Sequence, residues 1–266
     1  MARLTGLKTG ALLVGALVAS VAGMAQAVTL PDACGGPAGR VEQARVNHVY
    51  DGDTVRLSDG TRVRMIGLDT PEIFRRENSA EPFGHEARDA LIEILEAHDH
   101  QVLLVLDRER RDHYRRRLAH LFTPDGKSIH AELLARGLAV ALTIPPNDWN
   151  LQCYRDAEAQ AREAGLKIWE QEHLRVFNSQ ELPPDTEGFR QVEGRVVRLG
   201  ESQRSHWINL EGNVAFRIDH EDMIHFPGLD PAVLQGRQVM GRGLVYSHRG
   251  QARIRIRHPS DLQILD

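Results

Sequence analysis

The stretch that decides the fold is YDGDTVRLSDGTRVRMIGLDTPEI, residues 50–73. Apolar and polar residues alternate on both sides of the turn signal at residues 58–60, so this stretch predicts a β-hairpin. Residues 84–98 carry apolar side chains at helical spacing, and short strands are predicted at residues 102–106 and 118–122. Hairpins interleaved with helices predict an α+β fold, in which a small barrel has helices on one side.

The rest of the chain divides by composition. Residues 45–178 hold the barrel pattern and about three helices, the later two at residues 129–136 and 148–172. Residues 179–188 are polar with a Pro-Pro step, which is typical of a linker. Five short strands are predicted in residues 189–266 and indicate a second small β-barrel, expected to be OB-like.

The N-terminus predicts export. Residues 1–27 run from basic to apolar to small residues, the order of a secretory signal, with a retained membrane anchor as the alternative. Residues 28–44 then form an N-terminal segment of the exported protein. No later stretch is long and apolar enough to cross a membrane. We therefore expect a periplasmic or secreted protein without stable membrane insertion after cleavage.

The two cysteines, Cys34 and Cys153, are interpreted in the light of export. In an oxidising compartment a single pair is most simply a disulfide, and two unrelated buried thiols are the alternative. Two cysteines also exclude a four-thiolate zinc site.

The overall composition excludes some classes of protein. The 266 residues carry a formal net charge of -4, which disfavours a histone-like protein held to nucleic acid by bulk charge. Aromatic residues make up only 5% of the chain, which disfavours a densely aromatic surface for single strands. Phosphate binding would therefore depend on locally placed cations.

Two carboxylates in residues 50–73 predict a metal site. If the strand after Asp53 pairs with the strand before Asp69, the two side chains converge at one end of the barrel. Paired carboxylates repel, and a hard cation such as Ca²⁺ or Mg²⁺ relieves that repulsion. Alternation along the strand lets Arg64 reach the same pocket, where it would stabilise charge on a phosphodiester. Glu72 is then placed to hold or deprotonate water.

Six motifs in order resemble the thermonuclease, or staphylococcal-nuclease-like, family: YDGDTVRL, VRMIGLDTPEI, FGHEA, DHYRRRLAHLF, DGKSIHAELLARGLA and AEAQAREAGLKIW. They span roughly residues 45–169. The resemblance implies a five-stranded OB-like barrel with three helices. It also implies Ca²⁺-dependent hydrolysis of DNA and RNA, with Mg²⁺ as the alternative ion, cutting the 5′ P–O bond and leaving 3′-phosphate ends.

The resemblance also implies a role for each matching residue. The roles are metal ligation by Asp53, Asp69 and the Thr70 carbonyl, phosphate contact by Arg64 and Arg116, water activation by Glu72, contact near a terminal phosphate by Tyr114, and support from the nearby acid Asp51.

Two of the departures from the family pattern bear on how substrate is bound. Arg115 stands where the family often has glycine and Arg117 follows, so these arginines either add phosphate contacts or change which arginine points inwards. Residues 142–146 lack the tyrosines that better-known members use to stack a base, and the nearest aromatic residue is Trp149. We expect weaker or differently shaped base binding with the phosphate chemistry intact.

In the C-terminal region, Arg253, Arg255 and Arg257 alternate with isoleucines, which places three cations on one face of a strand. Two interpretations stay open for this stripe: a surface that tracks phosphates, or an ordinary solvated sheet face.

Two functions are weighed. The first is an exported, metal-dependent endonuclease that acts on DNA and RNA as a monomer. The alternative is a non-catalytic module that binds nucleic acid or protein on a nuclease-like barrel. The first is favoured because the full set of carboxylates and arginines is present.

Overall fold

The computed structural model describes residues 34–73 and 80–266, so the predicted signal at residues 1–27 lies outside the described residues. The first half of the described chain forms a closed barrel with α-helices around it, as predicted. Its elements are β1 (Val41–Val49), β2 (Thr54–Leu57), β3 (Arg62–Met65), β4 (Gly67–Asp69), α1 (Gly84–Glu96), β5 (Gln101–Val105), β6 (Arg117–Phe122), α2 (Ile129–Ala135), β7 (Val140–Leu142) and α3 (Leu151–Glu163).

The barrel strands run in the order β1-β2-β3-β6-β5, and β1 pairs with β5 to close the ring. The predicted hairpin is formed by β2 and β3, and β3 lies parallel to β6. Alternation decides which side chains enter the core: Val63 and Met65 are fully buried, whereas Arg62 and Arg64 face outwards. The helix α1 packs Ala87, Leu91 and other apolar residues into the same core.

A sharp bend after β3 positions the next short strand. Gly67 adopts a φ of +88°, and a Cβ there would lie 2.5 Å from the ring of Tyr154 on α3. Glycine is therefore required both by the backbone and by the close approach of the ring. The bend lets β4 leave the barrel and pair with β7, with Asp69 opposite Val140.

The C-terminal region forms a second closed barrel. Its strands are β8 (Val176–Asn178), β9 (Gly188–Glu201), β10 (Ser205–Leu210), β11 (Val214–Asp219), β12 (Gln238–His248), β13 (Gln251–Arg255) and β14 (Leu262–Ile264). The ring order is β9-β10-β11-β13-β12, closed by pairing of β12 with β9, while β8 and β14 extend the sheet. The parallel pair β11–β13 corresponds to β3–β6. Both barrels thus share the OB-like strand order, which confirms the predicted fold class.

The structure shortens one predicted helix. Instead of continuing to residue 172, α3 ends at Glu163, and Gly165 follows with a φ of +62°. Two 3-10 helices, Lys167–Glu170 and Glu172–Leu174, then lead to β8. Because β8 pairs with β9, a strand that the sequence assigns to the first domain contributes to the second sheet. The exact domain limits stay a prediction.

The two barrels pack against each other. A small apolar cluster joins Val140 of β7 and Ile168 to Leu174 and to Phe189 of β9. A disulfide links Cys34 to Cys153 across 119 residues of sequence and ties the start of the described chain to α3. Within residues 34–73 and 80–266, no helix has both the length and the apolar composition needed to span a bilayer.

Candidate active site

The carboxylate of Asp53 is fixed by hydrogen bonds at the start of β2. It accepts the N–H of Thr70 at 3.1 Å and the Thr70 hydroxyl at 3.2 Å, while the Thr54 hydroxyl donates to its other oxygen at 3.0 Å. One oxygen of Asp51 accepts the backbone N–H of Asp53 at 3.1 Å. These bonds connect the loop before β2 to the residue that follows β4. The Asp-Gly-Asp-Thr motif therefore acts as a tertiary contact as well as a turn.

The guanidinium of Arg64 lies between two carboxylates. Its Nη1 is 3.0 Å from Asp53 Oδ2, and its Nη2 is 2.7 Å from Asp69 Oδ1. The same Nη1 donates to the carbonyls of Met65 at 2.6 Å and Leu68 at 3.2 Å. Because Arg64 lies on β3 and Asp69 ends β4, the bend at residue 67 brings the two side chains back together. The structure thus places Asp53, Asp69 and Arg64 in one cluster.

The cluster carries more negative than positive groups. Burial, with the neighbouring charge of Asp53, raises the pKa of Asp51 to about 6. Burial also raises the pKa of Asp69 to about 6, although Arg64 acts in the opposite direction. Burial and the nearby aspartates raise the pKa of Glu72 to about 7. Burial would lower the pKa of Arg64, but Asp53 and Asp69 outweigh it and raise that pKa.

This donor set fits a hard divalent cation. The groups are carboxylates that contact the same guanidinium, and Arg64 alone does not balance their charge. A bound cation with oxygen ligands would relieve the repulsion that raises these pKa values. Asp53 and Asp69 are the residues placed to ligate it. Thr70 is seen to hold Asp53 through its N–H and hydroxyl, and its carbonyl stays a predicted ligand.

A cavity of about 580 Å³ opens beside the cluster. On one side it is lined by residues 69–72, which include Asp69 and Glu72. On the other side it is lined by Phe189, Arg190 and Leu244 of the second barrel. The candidate site is therefore a cleft between the two barrels.

Arg116 lies just before β6 and faces the side of the sheet that Arg64 occupies. The register pairs Arg64 with Leu118, and alternation places residue 116 on the same side as residue 118. The Arg116 Nε is 2.7 Å from Asp112 Oδ2, and its guanidinium stands 5.5 Å from the ring of Tyr114. Tyr114 is 70% exposed, so a large part of its ring faces solvent.

Arg117 takes a different direction from the one its predicted role requires. It is the register partner of Val63, whose side chain enters the core, so Arg117 faces away from Arg64. Its guanidinium pairs with Glu42 of β1. The two-residue period of the strand accounts for this result, since neighbours in a strand point to opposite faces. Arg117 is therefore occupied in an ion pair outside the cluster.

Arg115, the other flanking arginine, has a left-handed backbone with a φ of +66°. Its carbonyl accepts a hydrogen bond from Arg111 Nη1 at 3.2 Å. Glycine adopts such a conformation without steric cost, whereas arginine does not.

Known proteins match the part of the chain that builds this site. A family profile described as "Staphylococcal nuclease homologue" matches residues 62–171. The thermonuclease of Staphylococcus intermedius is 37% identical over 134 residues, which cover 49% of this chain and 78% of that protein. The chain belongs to the staphylococcal nuclease family. The thermonuclease of Staphylococcus hyicus is 36% identical over 129 residues, covering 47% of this chain and 74% of that protein.

In another relative the aligned region makes up a smaller share of the protein. Endonuclease YncB of Bacillus subtilis is 34% identical over 129 residues, which cover 47% of this chain and 60% of that protein. The family profile ends at residue 171, before the strands of the second barrel begin. The second barrel is thus an addition to the part of the chain that the profile describes.

Residues 142–149 form the region in which the sequence lacks the expected stacking tyrosines. Ile144 is exposed, and Thr143 is buried. Trp149 packs its ring against His120 at 4.9 Å and Phe122 at 5.9 Å between centroids, and its backbone N–H donates to Asp107. The Trp149 ring is therefore packed against the barrel, and the expected difference in base binding stays a prediction.

The predicted arginine stripe of the second barrel is largely paired with acids. Arg255 contacts Asp219, Glu221 and Asp222, all within 3.0 Å, and Arg257 lies 3.7 Å from Asp222. These pairs favour the interpretation as an ordinary sheet face for Arg255 and Arg257. Arg253 is different, because its Nε donates to the neutral side chain of Gln251 at 2.9 Å.

The sequence did not predict the residues that the second barrel contributes to the cleft. Phe189 and Leu244 are register partners on β9 and β12, and Arg190 follows on β9. They are distant in sequence from residues 69–72, and no motif marks them. Only the packing of one barrel on the other brings them to the site.

Proposed function

We propose that this chain is an exported, metal-dependent nuclease that hydrolyses phosphodiester bonds of DNA and RNA. The observation that carries the proposal is the position of Arg64 between Asp53 and Asp69, beside a cleft that Glu72 lines. The names of the relatives, thermonuclease and endonuclease, support the same activity.

The proposed metal is Ca²⁺, with Mg²⁺ as the alternative, held by Asp53, Asp69 and the carbonyl of Thr70. Such an ion supplies positive charge next to the phosphate that is attacked. Arg64 would donate two hydrogen bonds to the equatorial oxygens, where negative charge grows during displacement. Arg116 faces the same side of the sheet and would bind a phosphate oxygen after exchanging its contact with Asp112.

Glu72 is proposed to hold and deprotonate the attacking water. A general base must reach the water that it deprotonates, and in the metal-free chain burial and the nearby aspartates raise the pKa of Glu72 above its ordinary value. Its position at the rim of the cleft leaves room for water and substrate. From the family resemblance we propose endonucleolytic cutting that leaves 3′-phosphate ends.

The remaining roles are also proposals. Tyr114 would contact the substrate near a terminal phosphate, Arg115 would add a phosphate contact, and Asp51 would support Asp53 through the hydrogen bond already described. The disulfide between Cys34 and Cys153 supports an oxidising compartment, hence the periplasm or the exterior. We propose that the protein acts as a monomer.

The test is to incubate the purified chain with plasmid DNA or RNA in Ca²⁺, Mg²⁺ or EDTA. We expect cutting with metal, none in EDTA, and phosphatase-sensitive 3′ ends. Glu72→Gln and Arg64→Ala should each reduce the rate by about 10²–10³ or more, because each removes a group that acts on the transition state. Glu86→Gln, an exposed acid on α1, serves as the matched control. Binding of nucleic acid without cutting under any metal would support the non-catalytic module instead.

A further inference from the structure

The outer face of the second barrel presents two aromatic rings and two arginines on neighbouring strands. We call Trp207, Arg217, Tyr246 and Arg253 the aromatic–arginine face. The register pairs Trp207 of β10 with Arg217 of β11, and Tyr246 of β12 with Arg253 of β13. Residues that pair directly lie on the same side of a sheet. The four side chains therefore form one continuous surface across four strands.

Contacts within the face hold the rings and cations in place. The guanidinium of Arg253 lies 4.6 Å from the centre of the Trp207 ring. Arg217 lies 5.7 Å from the Tyr246 ring, and its Nη1 donates to the Tyr246 hydroxyl at 3.0 Å. All four residues are partly exposed. The rings are thus ordered before any ligand arrives, and each remains accessible.

The charge of the face suits an anionic ligand. Arg217 is paired with Asp219, so its contribution is reduced. Arg253 donates to a neutral amide and keeps its charge. Arg198, exposed on β9, extends the face beyond β10, where its Nη2 donates to Asn209 at 3.3 Å. The available positive charge beside the rings therefore comes from Arg253 and Arg198, since Asp219 pairs with both Arg217 and Arg255.

The aromatic–arginine face is continuous with the catalytic cleft along β12. Arg242, Leu244 and Tyr246 occupy alternate positions of this strand and share its outer side, because Val245 between them is in the core. Leu244 lines the cavity together with Asp69. Tyr246, two residues further on, is about 6–7 Å away along the strand. A polymer bound on the face would therefore reach the cleft within one or two nucleotides.

We infer that the aromatic–arginine face binds single-stranded nucleic acid and leads the strand into the cleft. The inference rests on the proposed nuclease function and names its preferred form of substrate. Exposed rings beside cations stack on unpaired bases while the cations contact phosphates. In a duplex the base faces are covered by their neighbours, so a paired substrate gains little from these rings.

The binding test uses the full chain in metal-free buffer and fluorescence anisotropy of a labelled 30-nucleotide single strand or a 30-base-pair duplex. Trp207→Ala and Tyr246→Ala should each weaken binding of the single strand by about tenfold and change duplex binding by less than threefold. Arg253→Gln should lower the slope of log K against log salt by about 0.7. Trp207→Phe, which keeps a stacking ring, should restore most of the affinity. Arg249→Ala, at the exposed β12–β13 turn, is the matched control.

A cleavage assay separates this inference from the proposed function. For each variant we would measure kcat/KM on the 30-nucleotide strand and on a dinucleotide, which is too short to reach the face. Trp207→Ala should lower the ratio of the two values by about tenfold. An unchanged ratio together with unchanged single-strand affinity would overturn the inference, as would a clear preference for duplex. If the wild-type chain cuts neither substrate but still binds the single strand through Trp207, the proposed function fails and the binding face stands.

Discussion

Arg242 of β12 and Glu158 of α3 form a two-pronged ion pair between the two barrels, with Nη1 to Oε2 at 2.6 Å and Nη2 to Oε1 at 2.7 Å. Their side chains are only 8% and 3% exposed. Both also bond to β7, since Arg242 donates to the Ala141 carbonyl at 3.0 Å and Glu158 accepts the Ala141 N–H at 2.7 Å. The pair thus connects the second barrel to the strand that lies beside β4.

Removing one member of this pair should destabilise the protein strongly. Arg242→Ala removes the two-pronged partner of the buried Glu158 carboxylate and leaves only the longer contact with Arg155 at 3.9 Å. We therefore expect the free energy of unfolding to fall by up to about 3–5 kcal/mol. Urea unfolding measures this change. Adding Glu158→Gln to the variant should recover part of the loss, and Arg249→Ala should stay within about 0.5 kcal/mol of the wild type. A loss below 1 kcal/mol in Arg242→Ala would contradict the importance of the pair.

The disulfide should contribute stability because it closes a long loop. The two cysteines are separated by 119 residues, and removal of such a bond costs about 2–5 kcal/mol. We expect Cys34→Ser with Cys153→Ser to unfold at lower urea and lower temperature than the wild type. Dithiothreitol should lower the stability of the wild type and leave the double variant unaffected. Equal stability of the two proteins under oxidising conditions would refute this prediction.

A buried histidine predicts how stability depends on pH. Nε2 of His130 accepts the backbone N–H of Leu121 at 2.8 Å, and burial, with a smaller effect of His120, holds the pKa of His130 well below its ordinary value. The unfolded chain takes up this proton near pH 6.5 and the folded chain does not. The contribution of His130 to stability is therefore present above pH 6.5 and lost below it, by about 1.4 kcal/mol per pH unit.

The variant His130→Gln tests this dependence, because a glutamine oxygen can still accept the N–H of Leu121 and does not titrate. Between pH 6.5 and 5 its free energy of unfolding should fall less steeply than that of the wild type, by up to about 1.4 kcal/mol per pH unit. Its absolute stability at pH 7.5 does not enter the comparison. His248→Gln, an exposed position, should keep the wild-type slope. Parallel slopes for His130→Gln and the wild type would exclude the proposed cause.

The left-handed conformation of Arg115 can be separated from the charge of its side chain. Arg115→Gly and Arg115→Ala both remove the charge, but only glycine relieves the backbone at a φ of +66°. We expect the glycine variant to be more stable than the alanine variant by about 1 kcal/mol. If Arg115 contacts phosphate, both variants lose the same few-fold in kcat/KM on a long strand. Equal stability of the two variants would show that the backbone is not strained.

Local patterns were sufficient to predict the first barrel. Alternation around residues 58–60 identified the β2–β3 hairpin, and the same alternation placed Arg64 outside the core beside Asp53. The convergence of Asp53 and Asp69 could be predicted because the two residues are near each other in sequence and flank strands that form one hairpin. The short strands β4 and β7 were missed, because each has only three residues and the pairing depends on the close contact of Gly67 with Tyr154.

The partner of a charged side chain is what the sequence left open. Phosphate contact was one of two interpretations for Arg117 and for Arg255, and in the structure they pair with Glu42 and with acids at and after the end of β11. The low aromatic content likewise disfavoured a densely aromatic surface, but it could not predict that Trp207 and Tyr246 would lie on the same face. Such pairings join residues far apart in sequence, so they appear only when the strands are in place.

The contact between Glu158 and Arg242 bears on any attempt to study the nuclease part alone. A fragment that stops before β9 keeps Glu158 but loses Arg242, so the buried acid is left with Arg155 at 3.9 Å and with the amide of Ala141. That amide belongs to β7, whose Val140 is opposite Asp69. Loss of activity in such a fragment would therefore reflect the lost ion pair between Glu158 and Arg242. It would not show whether the second barrel binds substrate. Introducing Glu158→Gln into the fragment would remove the buried charge that has lost Arg242. The activity of the fragment could then be compared with that of the intact chain.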